Sequence, residues 1–239
     1  MPKILILLLS ITLASCASVP ANFGPPSPTS KIGLFLLIDD YPKHEHVGNT
    51  IFQNKEVNAS SDTDFKQKYY EKIAEIFAVK NYELVKLKEN EDLYEKRFSL
   101  FSYASSNIYF KSDVKSVFNQ VAVENGLDFI IVVHPLNGPA WPNSSAYIDG
   151  YGLYTGCKFG SCTAEALDHV SARFYDVKNQ SSLKPMGFRY YQRPTIPEIN
   201  PSKSIESITS EEIDLAATKA LEKFMGQFRG MAQASGFVQ

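Results

Sequence analysis

Two segments of the chain are continuously apolar where most of it alternates. Ile32-Gly33-Leu34-Phe35-Leu36-Leu37-Ile38 and Asp128-Phe129-Ile130-Ile131-Val132-Val133 read as strands buried on both faces. Three other stretches carry helical periodicity. From about Asp62 to Lys80, Phe65, Tyr69, Ile73, Ile76 and Phe77 share one face, with Ser61 or Asp62 as cap. Behind Ser112, the residues Val114, Val117, Phe118, Val121 and Ala122 form a stripe that Gly126 ends. From Ser210 to Phe228, after a Thr209-x-x-Glu212 capping box, the stripe is Ile213, Ala217, Ala220, Leu221, Phe224 and Phe228. A short strand is expected at Glu83 to Leu87, and residues 88–111 read as part helix and part loop. Tyr147 to Cys157 and Cys162 to Val177 read as antiparallel strands, with another near Gly187 to Gln192. This order predicts an α/β (α+β) fold, a single mixed β-sheet with about three covering helices and an antiparallel C-terminal half.

The N-terminus has a different character. Lys3 precedes an apolar run from Ile4 to Ala14, too short for a membrane span and laid out as a secretory signal. Leu13-Ala14-Ser15-Cys16 resembles the bacterial lipobox. That resemblance implies cleavage before Cys16, a diacylglycerol on its sulfur and usually a further acyl chain on the new amino terminus, which together hold a membrane where one chain does not. Ala17 stands where inner-membrane retention typically has Asp, so the resemblance points to the outer membrane, facing the periplasm. Residues 17–30 hold four prolines and no charge, and at about 3.1 Å per residue they can stand a domain roughly 40 Å off a bilayer. The expected organisation is a signal peptide over 1–15, a lipidated cysteine and stalk over 16–30, and one α/β domain over 31–239.

With 24 Lys+Arg against 26 Asp+Glu and a pI of about 6.1, nothing favours a nucleic-acid partner. Gly126-Leu127-Asp128-Phe129-Ile130-Ile131-Val132-Val133 is similar to the Gly-x-Asp-aromatic-aliphatic strand of periplasmic assembly lipoproteins. These include the curli-secretion lipoprotein, the lipoprotein activators of penicillin-binding proteins and the amino-terminal domain of the Tol translocation protein. Ala172-Arg173-Phe174-Tyr175-Asp176-Val177-Lys178-Asn179 resembles their late strand, without the usual Gly after the turn. The resemblance implies a non-enzymatic module that docks onto envelope machinery.

Cys157 and Cys162 frame a four-residue hairpin loop whose geometry suits a disulfide in an oxidising compartment, with Cα atoms at about 5.5 Å. A zinc half-site, with His169 the nearest further ligand, and a reactive thiol are the other readings. His44 and His46 flank Glu45 after Asp39 and Asp40; this is either a metal-binding strand or a solvated loop beside a strand end. Asp39 and Asp40 lie at a strand's carboxyl end, where open sheets bind ligands. His134 reads as a hydrogen-bonded structural residue. Gly150, Gly152 and Gly156 do not fit the dinucleotide fingerprint, and no P-loop, nucleophile elbow or H-E-x-x-H occurs. Tyr151, Tyr190 and Arg193 are equally interface anchors or ordinary half-buried strand residues. The expected function is a lipid-anchored binding or assembly module with an envelope-protein partner, no cofactor and no catalytic residue, a homo-oligomer being left open. The competing class is a membrane-tethered periplasmic hydrolase or metal-binding protein centred on Asp39, His44 and His134.

Overall fold

A computed structural model of the protein describes residues 26–58, 61–104, 107–158, 160–182 and 192–238. The strands are β1 (Lys31–Leu36), β2 (Lys43–Val47), β3 (Lys55–Asn58), β4 (Glu83–Lys86), β5 (Phe101–Ala104), β6 (Asn107–Phe110), β7 (Phe129–Pro135), β8 (Asn137–Pro139), β9 (Tyr147–Lys158), β10 (Ser161–Asp176) and β11 (Ser181–Ser182). The helices are α1 (Phe65–Ala78), α2 (Glu91–Glu95), α3 (Ser112–Asn125) and α4 (Ser210–Ala234). Among the described residues one mixed sheet runs β3-β2-β9-β10-β7-β1-β4, with β8 on β9 and β11 on β10; β5 and β6 form a separate hairpin. The mixed-sheet expectation holds, and the fourth helix is the short α2.

Each helix forms where its cap and stripe direct it. The Asp64 carboxylate accepts from Gln67 N at 2.8 Å, so α1 starts two to three residues later than Ser61 or Asp62 suggests. Gly126 closes α3 in the left-handed region at φ 63°. The Thr209–Glu212 capping box opens α4, which runs six residues past Phe228 because Met231 and Ala232 extend its buried face.

Alternation along the parallel strands divides the core in two. Ile32, Leu34, Ile38, Ile131 and Val133 face α1 and α4, whose Tyr69, Phe77, Phe224 and Phe228 close over them. Phe35, Leu37, Ile130 and Val132 face the other way, onto Val114, Phe118 and Ala122 of α3 and onto Leu93, Leu100 and Phe110. The domain also begins earlier than Lys31. Pro26 and Ser30 are buried, and Tyr82 Oη donates to the Pro26 carbonyl at 3.4 Å, so the end of the expected stalk lies on the domain.

The largest departure is β2. Its sequence Lys-His-Glu-His-Val suggests a solvated loop, yet all but His46 are buried between β9, in parallel register, and β3, in antiparallel register. Lys43 pairs with Gly152, where a Cβ would stand 2.1 Å from the Lys43 carbonyl oxygen, and the Gly152 φ of 137° suits glycine alone. Gly152 of β9 therefore admits the β2 backbone, and Gly150 faces the Lys43 side chain.

Phe228 is fully buried between Phe77, Phe174 and Phe224. Phe228→Ala should lower unfolding free energy in urea by about 3–5 kcal/mol, whereas the exposed Val123→Ala should change it by less than about 0.5.

Candidate functional site

The C-terminal ends of β1 and β4 mark where crossovers leave the sheet on opposite faces, α1 on one and α3 on the other, the usual ligand crevice of an open sheet. Here side chains fill it. Asp39 Oδ1 accepts from Tyr94 Oη at 2.8 Å and from Arg97 at 3.1 Å, with the guanidinium stacked 4.1 Å from the Tyr94 ring. Lys66 bridges Asp40 at 2.7 Å and Glu89 at 2.8 Å. Burial and the Asp39 hydrogen bond push the Tyr94 phenol up to about 12, so it remains a donor. Asp39 and Asp40 are thus committed to ion pairs that fasten α1 and α2 to the sheet.

Across the sheet, β2 carries two polar groups on opposite faces. His44 Nε2 and His46 Nδ1 both meet Thr155 Oγ1, at 2.7 and 2.8 Å. Burial holds the His44 pKa down near 4, with the neighbouring His46 adding to the effect. On the other face, Lys43 Nζ lies 2.6 Å from Asp149 and 3.5 Å from each of Glu45 and Glu56. Burial pulls the Lys43 ammonium down; the hydrogen bond and charge of Asp149, with Glu45 and Glu56, more than offset it. Burial pushes the Glu45 carboxyl up to about 7 against the pull of Lys43.

The centre expected from Asp39, His44 and His134 does not assemble. His134 faces Phe101 and donates through Nδ1 to the Pro135 carbonyl oxygen, while His44 lies on the opposite face of the sheet, three strands away. Burial lowers the His134 pKa to about 3. Among the described residues no group of three or more His, Cys, Asp and Glu side chains is placed to hold a metal.

Cys157 and Cys162 form a disulfide. They are directly paired across β9 and β10, with a Cα separation of 4.1 Å, nearer the close non-hydrogen-bonded pair than the expected 5.5 Å. The loop between the paired ends Lys158 and Ser161 is only residues 159 and 160. His169 pairs with Gly150, seven residues along β10 from Cys162 or roughly 23 Å, which removes it from the cysteines.

The expected contact residues are corrected by burial. Tyr151 is 1% exposed, packed on Phe65 and Tyr69, with its hydroxyl donating to the Asp39 carbonyl oxygen. It belongs to the core. Arg193 pairs with Glu165 at 2.7 Å, donates to the Ala140 carbonyl oxygen at 2.6 Å and covers the Tyr154 ring. Tyr190, like Cys16, lies outside the described residues. Moreover, β9 and β10 are central strands; among the described residues the free edges belong to β3 and β4. Every residue of β3 is exposed, and beside it the turn at Ile51–Gln53 presents Ile51 at 71% and Phe52 at 89% exposure. Tyr147, 62% exposed, lines a shallow cleft with Lys55 and Glu56. The sequence sign of this patch was an unpatterned Ile-Phe pair inside a polar turn.

A groove of about 580 Å³ also lies between α1 and α4, floored by Leu221 and Met225 and rimmed by Lys68, Glu71, Lys72, Glu222 and Arg229. Another cavity, of about 300 Å³, opens on the β9–β10 hairpin. No family model matches the chain, and no curated protein or solved structure matches it.

The three depressed imidazoles, His44, His46 and His134, set a pH response. Below the unfolded value of 6.5 the unfolded chain binds protons that the folded chain refuses, so stability falls with falling pH. Glu45 acts in the opposite sense: its contribution is present below its ordinary 4.5 and is lost as pH rises through about 7. Between about pH 6.5 and 4.5 the depressed His44, His46 and His134 act against the raised carboxyls of Glu45 and Asp168, and unfolding free energy should fall as pH is lowered. Urea unfolding across that window should show this slope, flattened in His44→Gln and steepened in Glu45→Gln. Reduction of the disulfide should cost about 2 kcal/mol and leave the fold intact by circular dichroism.

Proposed function

We propose that the protein is a lipid-anchored docking module of the bacterial envelope, tethered through Cys16 to the outer membrane and facing the periplasm. It binds an envelope protein that presents an extended segment. The observation that carries this reading is the free β3 edge with its exposed Ile51, Phe52, Val57 and Tyr147. An uncovered strand offers unpaired backbone donors and acceptors for strand addition. An exposed apolar dipeptide beside it supplies the anchor that such an edge needs for affinity. Lys55 and Glu56 stand next to each other on that strand and give an added segment a charge pattern to match. The Cys157–Cys162 disulfide and the resemblance of Cys16 to a lipobox cysteine agree with an oxidising, extracytoplasmic setting.

A photo-crosslinking residue at position 52 should capture one envelope protein in intact cells. Phe52→Asp should weaken that capture by about 30-fold or more, with an unchanged melting temperature because the ring packs on little. Normal capture by Phe52→Asp, or recovery of only a second copy of this chain, overturns the docking assignment. Cys16→Ser should block maturation and abolish incorporation of labelled fatty acid; membrane-bound maturation without lipid overturns the anchor.

A further inference from the structure

We propose that the cavity walled by Trp141, Tyr154, Lys158 and Arg193 binds an acidic sugar, a hydroxylated ring carrying one carboxylate. The cavity measures about 300 Å³, at the small end of ligand pockets, with room for one ring-sized molecule. Its lining joins the Trp141 ring to the hydroxyls of Ser161 and Thr163, beside a Tyr154 ring that Arg193 covers. That combination suits a sugar, whose C–H face lies against an aromatic ring while its hydroxyls exchange hydrogen bonds around the rim. Lys158 and Arg193 against Glu165 give the lining a net charge of 2 − 1 = +1, which favours an anion over a cation.

The walls made by Trp141, Tyr154 and Arg193 are fixed before any ligand arrives. The Arg193 guanidinium is held by Glu165 and by the Ala140 carbonyl and lies 4.2 Å from the centre of the Tyr154 ring. Its segment is tied to β10 by Ala166 N to Pro194 O at 2.7 Å and Ile196 N to Ala164 O at 2.9 Å. Gly156 leaves space for the Tyr154 hydroxyl, which a Cβ there would approach to 2.2 Å. The disulfide one residue on pins the two strands of the floor. A pocket whose walls need no reordering spends little of its binding energy on being shaped. Trp141 packs on the small cluster of Val47, Ile148 and Leu167, and Lys158 sits 5.5 Å from its ring, where a carboxylate on a stacked sugar meets the ammonium.

Trp141 is the chain's single tryptophan, so its fluorescence reports this cavity alone. The full-length protein is titrated with sodium glucuronate, glucose and sodium acetate, with calorimetry as an independent measure. Saturable binding of glucuronate is expected, with glucose weaker by about 10-fold or more and acetate giving no saturable change. Lys158 is exposed, so Lys158→Gln leaves the fold unchanged; it should weaken glucuronate about 10-fold and erase its advantage over glucose. Trp141→Phe should remove the optical signal and retain weaker calorimetric binding. Failure of glucuronate to saturate, equal binding of glucuronate and glucose by the wild type, equal binding of acetate, or an unaltered Lys158→Gln variant each overturn the proposal.

Discussion

Sixteen-residue β10 is bonded on one side to β7 and on the other to β9, and through it the two halves of the sheet share one hydrogen-bond ladder. On the β7 side the strands are parallel and wrapped by α1 and α3, which is the local, helix-connected half. On the β9 side lie the long β9–β10 hairpin and the β2–β3 hairpin, joined to each other by the parallel pairing of β2 with β9. Any shift of β10 by one residue would exchange Ala164, Ala166, Val170, Ala172 and Phe174 with the residues of its other face. The paired cysteines lock that register at the hairpin's end, and Asp168 marks it in the middle. Lys223 of α4 meets the Asp168 carboxylate at 2.5 Å, although burial pushes that carboxyl's pKa up. Removal of either partner would leave the other charge poorly compensated in the interior.

The functional surfaces follow from this division. A strand held on both sides has no backbone to offer, which is why the aromatics of β9 serve the core and the hairpin can carry only a cavity in its side-chain layer. The unpaired backbone is displaced two strands outward to β3. There the chain exposes apolar residues where an edge is ordinarily blunted by charge. Lys55 partly supplies that protection, but its ammonium is drawn 3.1 Å from Glu206.

The parallel half was legible in the sequence because its signals are local. A continuous apolar run needs no distant partner to be recognised as a buried strand, and a capping box is complete within four residues. β2 was not legible. Its Lys43, His44 and Glu45 are tolerable inside only because Asp149, Thr155 and Glu56 satisfy them, two of these from more than a hundred residues away. Tyr151 misled for a related reason: glycines beside a tyrosine look like an open binding strand, whereas Gly152 is there to admit the β2 backbone. Arg193 emerges from a proline-rich loop with no periodicity, so its pairing with Glu165 had no sequence sign.

Thr155 has one hydroxyl hydrogen and faces two imidazole nitrogens. At most one ring can therefore present a bare nitrogen to it, and the other must donate an N–H. The tautomer of His44 is thus coupled to that of His46 through a single oxygen. When the accepting ring gains a proton, the hydroxyl loses its acceptor and must rotate, reversing the direction of hydrogen bonding between β2 and β9. A change of protonation at one ring is thus transmitted to the other as a change in which partner the shared hydroxyl donates to.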